Sequence, residues 1–247
     1  MDPLLVSAAS GLRARMESLD MLANNIANAS TAGYKNDREF YGIYIDAEAR
    51  EGLAEPVQGT LPVIEKPWTD FSQGNIQATG SQLDLALSGK GFFSVNGPSG
   101  VLYTRNGSFH LSTSGAVVTQ EGYPVRLTEG NVLRTQSNLP LEISTDGTVT
   151  QDGAVLGRLA IVNFAETDAL SKQGSTFFHP IDPKIAPVAA SGAEVLQGKL
   201  ENSNVANAES AVRLVTLLRQ FEMLQKAISL GGEMNRRAIE DVARVGS

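Results

Sequence analysis

Asp146 and Asp152 are two carboxylates six residues apart, the kind of pair from which a glycoside hydrolase builds a general acid and a base or nucleophile. Glu142 and Asp84 offer a second acidic pair. Each of the two aspartates, however, directly precedes glycine, as Asp146-Gly147 and Asp152-Gly153. There aspartate is a turn former, because its carboxylate bonds backbone N–H groups just downstream. Gly89-Lys90-Gly91 resembles a phosphate loop only at a glance. The first glycine of such a loop would stand at position 84, where the chain has Asp84, and a hydroxyl residue is required where Gly91 stands. Gly97-Pro98-Ser99-Gly100 lacks the spacing of a nucleophile elbow and reads as a turn. The chain has no cysteine and only two histidines, His110 and His179. Thiolate zinc sites, iron–sulfur clusters, disulfides and thiol nucleophiles are excluded together. No cofactor and no metal is called for.

The positioning elements divide by composition. The chain has 247 residues and a net charge of −7, with 10 basic against 17 acidic residues between positions 41 and 204 and near-balanced ends. All but five of the 24 glycines fall between 42 and 198, so turn-rich chain is confined to the middle. An acidic balance argues against nucleic-acid binding, which usually shows a basic patch or stripe. No run approaches eighteen apolar residues, so no membrane insertion is expected. Asp2 stands where a secretory signal needs basic residues, so no cleaved signal peptide is expected.

Both ends read as helices. Leu5, Ala9, Leu12, Met16, Leu19, Ala23 and Ile26 alternate spacings of four and three, the seam of a coiled coil. Asp2-Pro3 forms a cap and first-turn pair, and Gly33 can close the run in a left-handed conformation. Near the other end, Asn204 or Asn207 can cap a helix whose stripe is Val212, Val215, Leu218, Phe221, Leu224 and Ile228, widened by Leu214 and Leu217. Gly231-Gly232 predicts a hinge or frayed turn, since glycine costs about 1 kcal/mol against alanine inside a helix. A two-helix coil leaves apolar surface uncovered, and such surfaces mark association. Leu12, Met16, Leu19 and Ile26 are expected to pair with Leu214, Leu218, Phe221 and Ile228, within or between chains. Asn24, Asn25 and Asn28 either fray and cap the first helix or bond neighbouring chains.

The middle changes to a period of two. Leu83, Leu85 and Leu87 alternate with smaller or polar residues. Runs at 91–95, 101–104, 108–111, 116–119, 132–135, 141–143, 148–150 and 156–164 continue the series between turn signals. Asn106-Gly107 predicts a hairpin joining 101–104 to 108–111. The fold class is therefore α+β, with N- and C-terminal helices pairing as a coiled coil around a central all-β domain of short antiparallel strands. The expected organisation is an N-terminal helix over 1–35, an extended connector over 36–70, a β domain with its return segment over 71–200, and a C-terminal helix over 201–247.

Three blocks then resemble a known family. Ala23-Asn24-Asn25-Ile26-Ala27-Asn28-Ala29-Ser30-Thr31-Ala32-Gly33-Tyr34-Lys35 is similar to the N-terminal signature of bacterial flagellar rod and hook proteins. Phe71-Ser72-Gln73-Gly74, then Leu83 through Phe93, then Tyr103-Thr104-Arg105-Asn106-Gly107-Ser108-Phe109 resemble the family's β domain. Gly198-Lys199-Leu200-Glu201-Asn202-Ser203-Asn204-Val205, leading to Arg219-Gln220-Phe221-Glu222-Met223, resembles its C-terminal helix.

The resemblance implies a structural subunit of the basal-body rod and not an enzyme. It implies export through the flagellar type III apparatus, unfolded and without a cleaved signal, and open-ended helical assembly with proximal and distal rod subunits in the periplasm. A connector of 35 residues between Lys35 and Phe71 favours the proximal subunit over the distal one. The residues expected to carry assembly are Leu5, Leu12, Met16, Leu19, Asn24, Asn25, Ile26, Asn28, Leu214, Leu218, Phe221, Leu224 and Ile228. A secreted enzyme acting on the cell wall, through the carboxylates named above, is the alternative from another class.

Overall fold

The computed structural model describes residues 3–44, 61–135 and 139–245. The chain divides into two compact units: Met1–Ala27 with Asp37–Trp68 and Ala206–Ser247, and Asn28–Asn36 with Thr69–Val205. The architecture is α+β, two long helices and a β-rich middle of antiparallel strands.

In the first unit α1 spans Pro3–Ala27 and α2 spans Asn207–Val245. Pro3 suits the first helical position, where its missing N–H costs nothing; Asp2 lies outside the described residues. Two strands, β1 (Asp37–Tyr44) and β2 (Leu61–Thr69), form a two-stranded sheet within the expected connector. Two expectations for α2 fail. The helix runs through Gly231-Gly232 without a break. Each further residue of an existing helix adds a hydrogen bond, and over 39 residues a local cost of about 1 kcal/mol per glycine does not stop propagation. Asn204 does not cap the helix either: Ser210 N–H bonds the Ala206 carbonyl, and Asn204 is spent elsewhere.

The second unit carries β3 (Ile76–Ala78), β4 (Leu85–Ser88), β5 (Phe92–Gly97), β6 (Gly100–Thr104), β7 (His110–Leu111), β8 (Val117–Val118), β9 (Leu141–Ile143) and β10 (Thr148–Gln151). There follow β11 (Ala154–Arg158), β12 (Ile161–Asn163), β13 (Leu170–Gln173), β14 (Phe177–Pro180), β15 (Val188–Ala189), β16 (Glu194–Gln197) and β17 (Lys199–Glu201). The largest sheet has the order β13-β14-β6-β5-β12-β15; β11-β10-β9 form a second, and β16-β4, β17-β3 and β7-β8 pair separately.

The six-stranded sheet is buried on both faces. Phe93, Val95, Leu102 and Phe177 enter one core with Leu85, Leu87, Phe109, Val149 and Val195. Their neighbours Phe92, Tyr103 and Phe178 enter another with Phe164 and Leu170. That is why Phe92-Phe93 and Phe177-Phe178 stand as aromatic pairs where a half-exposed strand would alternate apolar with polar. Burial also raises the pKa of Tyr103 above its ordinary value.

The Asn106-Gly107 hairpin does not form. β6 pairs with β5 and β14, and β7 pairs with β8. Residues 107–109 instead cross to the 83–85 segment: Leu85 N–H bonds Gly107 O at 3.0 Å and Phe109 N–H bonds Leu83 O at 3.4 Å. Asn106 turns the chain by accepting Ser108 N–H through its side chain at 3.0 Å. A Cβ on Gly107 would lie 1.7 Å from Leu85 O, so glycine is required for close backbone approach and not for a primed turn.

Gly107→Ala is expected to destabilise the β unit by about 1–3 kcal/mol, the usual cost of forcing extra volume into a packed site. A urea titration followed by near-ultraviolet circular dichroism measures it.

Candidate assembly interface

The functional surface expected from the sequence is the helix pair. Among the described side chains of α1 the buried ones are Ala14, Ser18, Leu22 and Asn25, a row spaced four, four and three. They are not the seam 5/9/12/16/19/23/26. Leu12 and Leu19 are half-buried, Ala9 and Ala23 are exposed, Met16 is 51% exposed and Ile26 37%. The side chain of Leu5 lies outside the described residues. A Cβ on Gly11 would meet Leu224 Cδ1 at 3.8 Å, so α1 passes close to α2 at Gly11.

In α2 the covered row is Ser210, Leu214, Leu217, Phe221, Leu224, Ile228, Gly231 and Asn235, buried or half-buried at spacings of four and three. At about 100° per residue, Val212, Val215, Met223, Leu230 and Met234 fall on the roughly opposite side. They are 69, 50, 62, 59 and 72% exposed. Leu218, placed in the seam from the sequence, is 45% exposed and belongs to neither row. Val212 and Val215, placed from the sequence in the same stripe as Phe221 and Leu224, belong to this outward row instead, which the sequence does not show as a row because Arg219 and Lys226 interrupt it. Its signal was the return of Met223 and Leu230 seven residues apart.

Polar contacts tie β1 to both helices. Asn25 is 4% exposed; its Nδ2 donates to Asp37 O at 2.8 Å and its Oδ1 accepts Asp37 N–H at 3.0 Å. Its amide therefore serves this chain's own strand. Asn24 is exposed, and Asn28 is half-buried, with its Oδ1 accepting the Thr31 hydroxyl at 3.3 Å. Glu39, its side chain 4% exposed, accepts from the Ser18 hydroxyl and the Arg213 guanidinium.

The second unit has its own polar centre, which sequence reasoning missed. Lys35, Arg105 and Glu201 are all buried. Lys35 Nζ donates to Glu201 Oε1 at 2.6 Å and to Ser72 O at 2.7 Å. Arg105 Nη1 lies 3.2 Å from Glu201 Oε2, and its Nη2 donates to Gly89 O at 2.6 Å. Gly74 N–H adds a bond to Glu201 Oε1 at 2.9 Å. Burial lowers the pKa of Lys35 and of Arg105 from their ordinary values, and Glu201 opposes both shifts.

Around this centre the backbone is laced. Gly33 N–H bonds Glu201 O at 2.7 Å, and Asp70 N–H bonds Asn36 O at 2.8 Å. Asn204 accepts Asn36 N–H at 2.8 Å and donates to Asp70 O at 2.8 Å. Lys172 donates to Lys35 O at 2.7 Å while its ammonium lies 4.3 Å from the centroid of the Tyr34 ring. Gly33 is left-handed, φ +67°, but α1 ends at Ala27, so it does not close that helix as its place in the sequence suggests. A Cβ there would meet Asn106 N at 2.2 Å. No charge-run or spacing signal announces the cluster, because its three members are scattered along the chain.

Of the carboxylates considered for catalysis, Asp146 accepts both the N–H and the hydroxyl of Thr148, at 3.1 and 2.7 Å. Those bonds hold its carboxyl below the ordinary range, which suits a turn and not a proton donor. Asp152 sits at φ 53° in the next turn.

Three family descriptions match successive parts of the chain: "Flagella basal body rod protein" over residues 5–35, "Flagellar hook protein FlgE/F/G D1 domain" over 86–156, and "Flagellar basal body rod FlgEFG protein C-terminal" over 196–241. A flagellar basal-body rod protein FlgF of Caulobacter vibrioides is 32% identical, over 99% of this chain and the whole of that protein. The chain belongs to the flagellar basal-body rod protein family. Rod proteins named FlgG from Buchnera aphidicola and Bacillus subtilis are 31 and 30% identical, over 95 and 93% of this chain and 97 and 95% of theirs. The three matched regions contain Lys35, Arg105 and Glu201 respectively. This rod-family chain is a structural subunit of the flagellar basal body.

Glu201→Ala strands two buried cations and is expected to cost about 3–5 kcal/mol. Chemical denaturation of the purified chain would show it as a lower midpoint with an unchanged slope.

Proposed function

We propose that this chain is an axial rod subunit whose α1 and α2 pair as a coiled coil and whose remaining apolar rows are covered by the helices of neighbouring subunits. One observation carries the reading: α2 is apolar on two roughly opposite sides, one turned to α1 and one open. Burying side chains such as Val, Leu or Met is worth about 1.5–3 kcal/mol each, so five residues in one row supply a strong drive to associate. Head-to-tail contacts whose rotation does not close generate an open helical stack. Such a stack transmits torque along its axis.

In this reading Leu214, Phe221, Leu224 and Ile228 of α2 serve the pairing with α1, while Leu5, Leu12, Met16, Leu19, Asn24, Ile26 and Asn28 of α1 and Leu218 with Val212, Val215, Met223, Leu230 and Met234 of α2 are offered to neighbouring subunits. Asn25 is left out because its amide is used by Asp37. The chain passes the flagellar export apparatus unfolded and assembles in the periplasmic rod beside other rod subunits. The short span between Lys35 and Phe71 favours the proximal position.

Leu19→Asp and Met223→Asp are expected to leave the β unit folded, with its thermal transition within a degree or two of wild type, and to abolish incorporation. Immunoblots of isolated basal bodies from cells expressing each variant decide it. Normal incorporation of both variants overturns the interface assignment.

A further inference from the structure

Within the second unit a cavity of 410 Å³ opens beside the buried ionic cluster. Phe71, Phe92 and Phe164 form apolar walls, and Lys90, Arg105 and Asn163 supply polar groups. The walls are stiff: Phe92 packs edge-on against Phe71 at 5.5 Å and against Phe164 at 6.1 Å between ring centroids.

Two buried cations meet one buried carboxylate beside the cavity. Lys35 and Arg105 share the single carboxylate of Glu201. Arg105 is 4% exposed, its Nη atoms are engaged, and its Nε has no acceptor. Unpaired buried N–H groups are costly, more so when charged. The guanidinium carbon lies 5.6 Å from the centroid of the Phe92 ring, which stabilises the cation but accepts nothing from Nε. Lys90, exposed at the tip of Gly89-Lys90-Gly91, adds a second cation at the cavity wall.

We propose that this cavity binds a carboxylate carried on an apolar stem. Lys90 gives one ammonium at the wall, and the buried Arg105 guanidinium beside it adds positive charge without a hydrogen bond from its sealed Nε. That donor set fits a monoanion, whereas a phosphate-binding site presents several converging N–H groups. The three phenyl rings fit an apolar body, and a few placed polar groups in an aromatic pocket are the ordinary composition of a ligand site. The carboxylate comes either from an acidic side chain of a second copy of this chain, which is rich in them, or from a free small molecule.

Phenylacetate titrated into the full chain, followed by amide NMR shifts, tests the site. Saturable shifts at residues 90–92, 105 and 163–165 are expected, with phenylacetamide at least tenfold weaker and inorganic phosphate producing no saturation. Lys90→Gln should weaken phenylacetate several-fold while the melting temperature stays unchanged, because Lys90 is exposed. Ala165→Trp, which fills the mouth from an exposed position, should abolish binding. Raising the protein concentration distinguishes the source. If the same residues shift and phenylacetate reverses the shift, the occupant is a second copy; if they do not, it is a free carboxylate. Absence of saturation, equal binding of the amide, or an unchanged affinity in Lys90→Gln each overturns the proposal.

Discussion

The second unit depends on one buried carboxylate. Glu201 accepts from Lys35, Arg105 and the Gly74 N–H, and those partners come from segments far apart in the chain. Removing three charged groups from water is expensive, and their attraction repays the cost only when the remaining donors are satisfied. Here Lys35 reaches Ser72 O and Arg105 reaches Gly89 O, so satisfaction is nearly complete. Such a cluster contributes less through net stability than through selectivity. A shifted register at 33–36, 70–74 or 199–204 would leave an uncompensated charge in an apolar interior. The cluster therefore fixes where residues 28–36 dock on the β strands.

The first unit follows a different rule. Its helices meet closely where Gly11 faces Leu224, and Asn25 of α1 reaches Asp37 of β1 while Glu39 of β1 reaches Ser18 and Arg213. Neither helix exhausts its apolar surface in that contact. Met16 and Ile26 on α1, and Met223, Leu230 and Met234 on α2, remain exposed. Exposed surface pairs such as Arg13–Glu17 and Arg236–Glu240 add little, since solvent and salt screen them. A subunit of an axial assembly needs surplus of this sort, because each helix must satisfy its own chain and also its neighbours.

Several local signals in the sequence were strong and still misled. Asn106-Gly107 has the residues of a tight hairpin, yet the strands it would join pair with other partners, and the glycine admits the Leu85 backbone. Gly231-Gly232 has the residues of a break, yet helical hydrogen bonds carry through it. The heptad seam of α1 is real as a pattern, but the described side chains buried within the chain lie on a roughly opposite face, through Ala14, Ser18 and Leu22. At Asn106-Gly107 and along α1 the local preference was outweighed by contacts with residues distant in sequence, and at Gly231-Gly232 a cost of about 1 kcal/mol per glycine was outweighed by helix propagation. Strands β14, β16 and β17 were hidden in a proline-bearing stretch read as a return segment, because their partners β6, β4 and β3 lie 73 to 125 residues upstream.

Periodicity and composition by themselves determined that long helices stand at the two ends, that a turn-rich β unit lies between them, and that the family blocks occur in order. Those properties are local: a helix shows every three to four residues and a strand every two, so neighbours along the chain suffice to reveal them. Which row of a two-faced helix turns inward, which strand partners which, and that Lys35, Arg105 and Glu201 meet, were decided only in three dimensions. Each depends on the cost of leaving a charge, an amide or an apolar face unmatched, and that cost exists only once distant segments have been brought together.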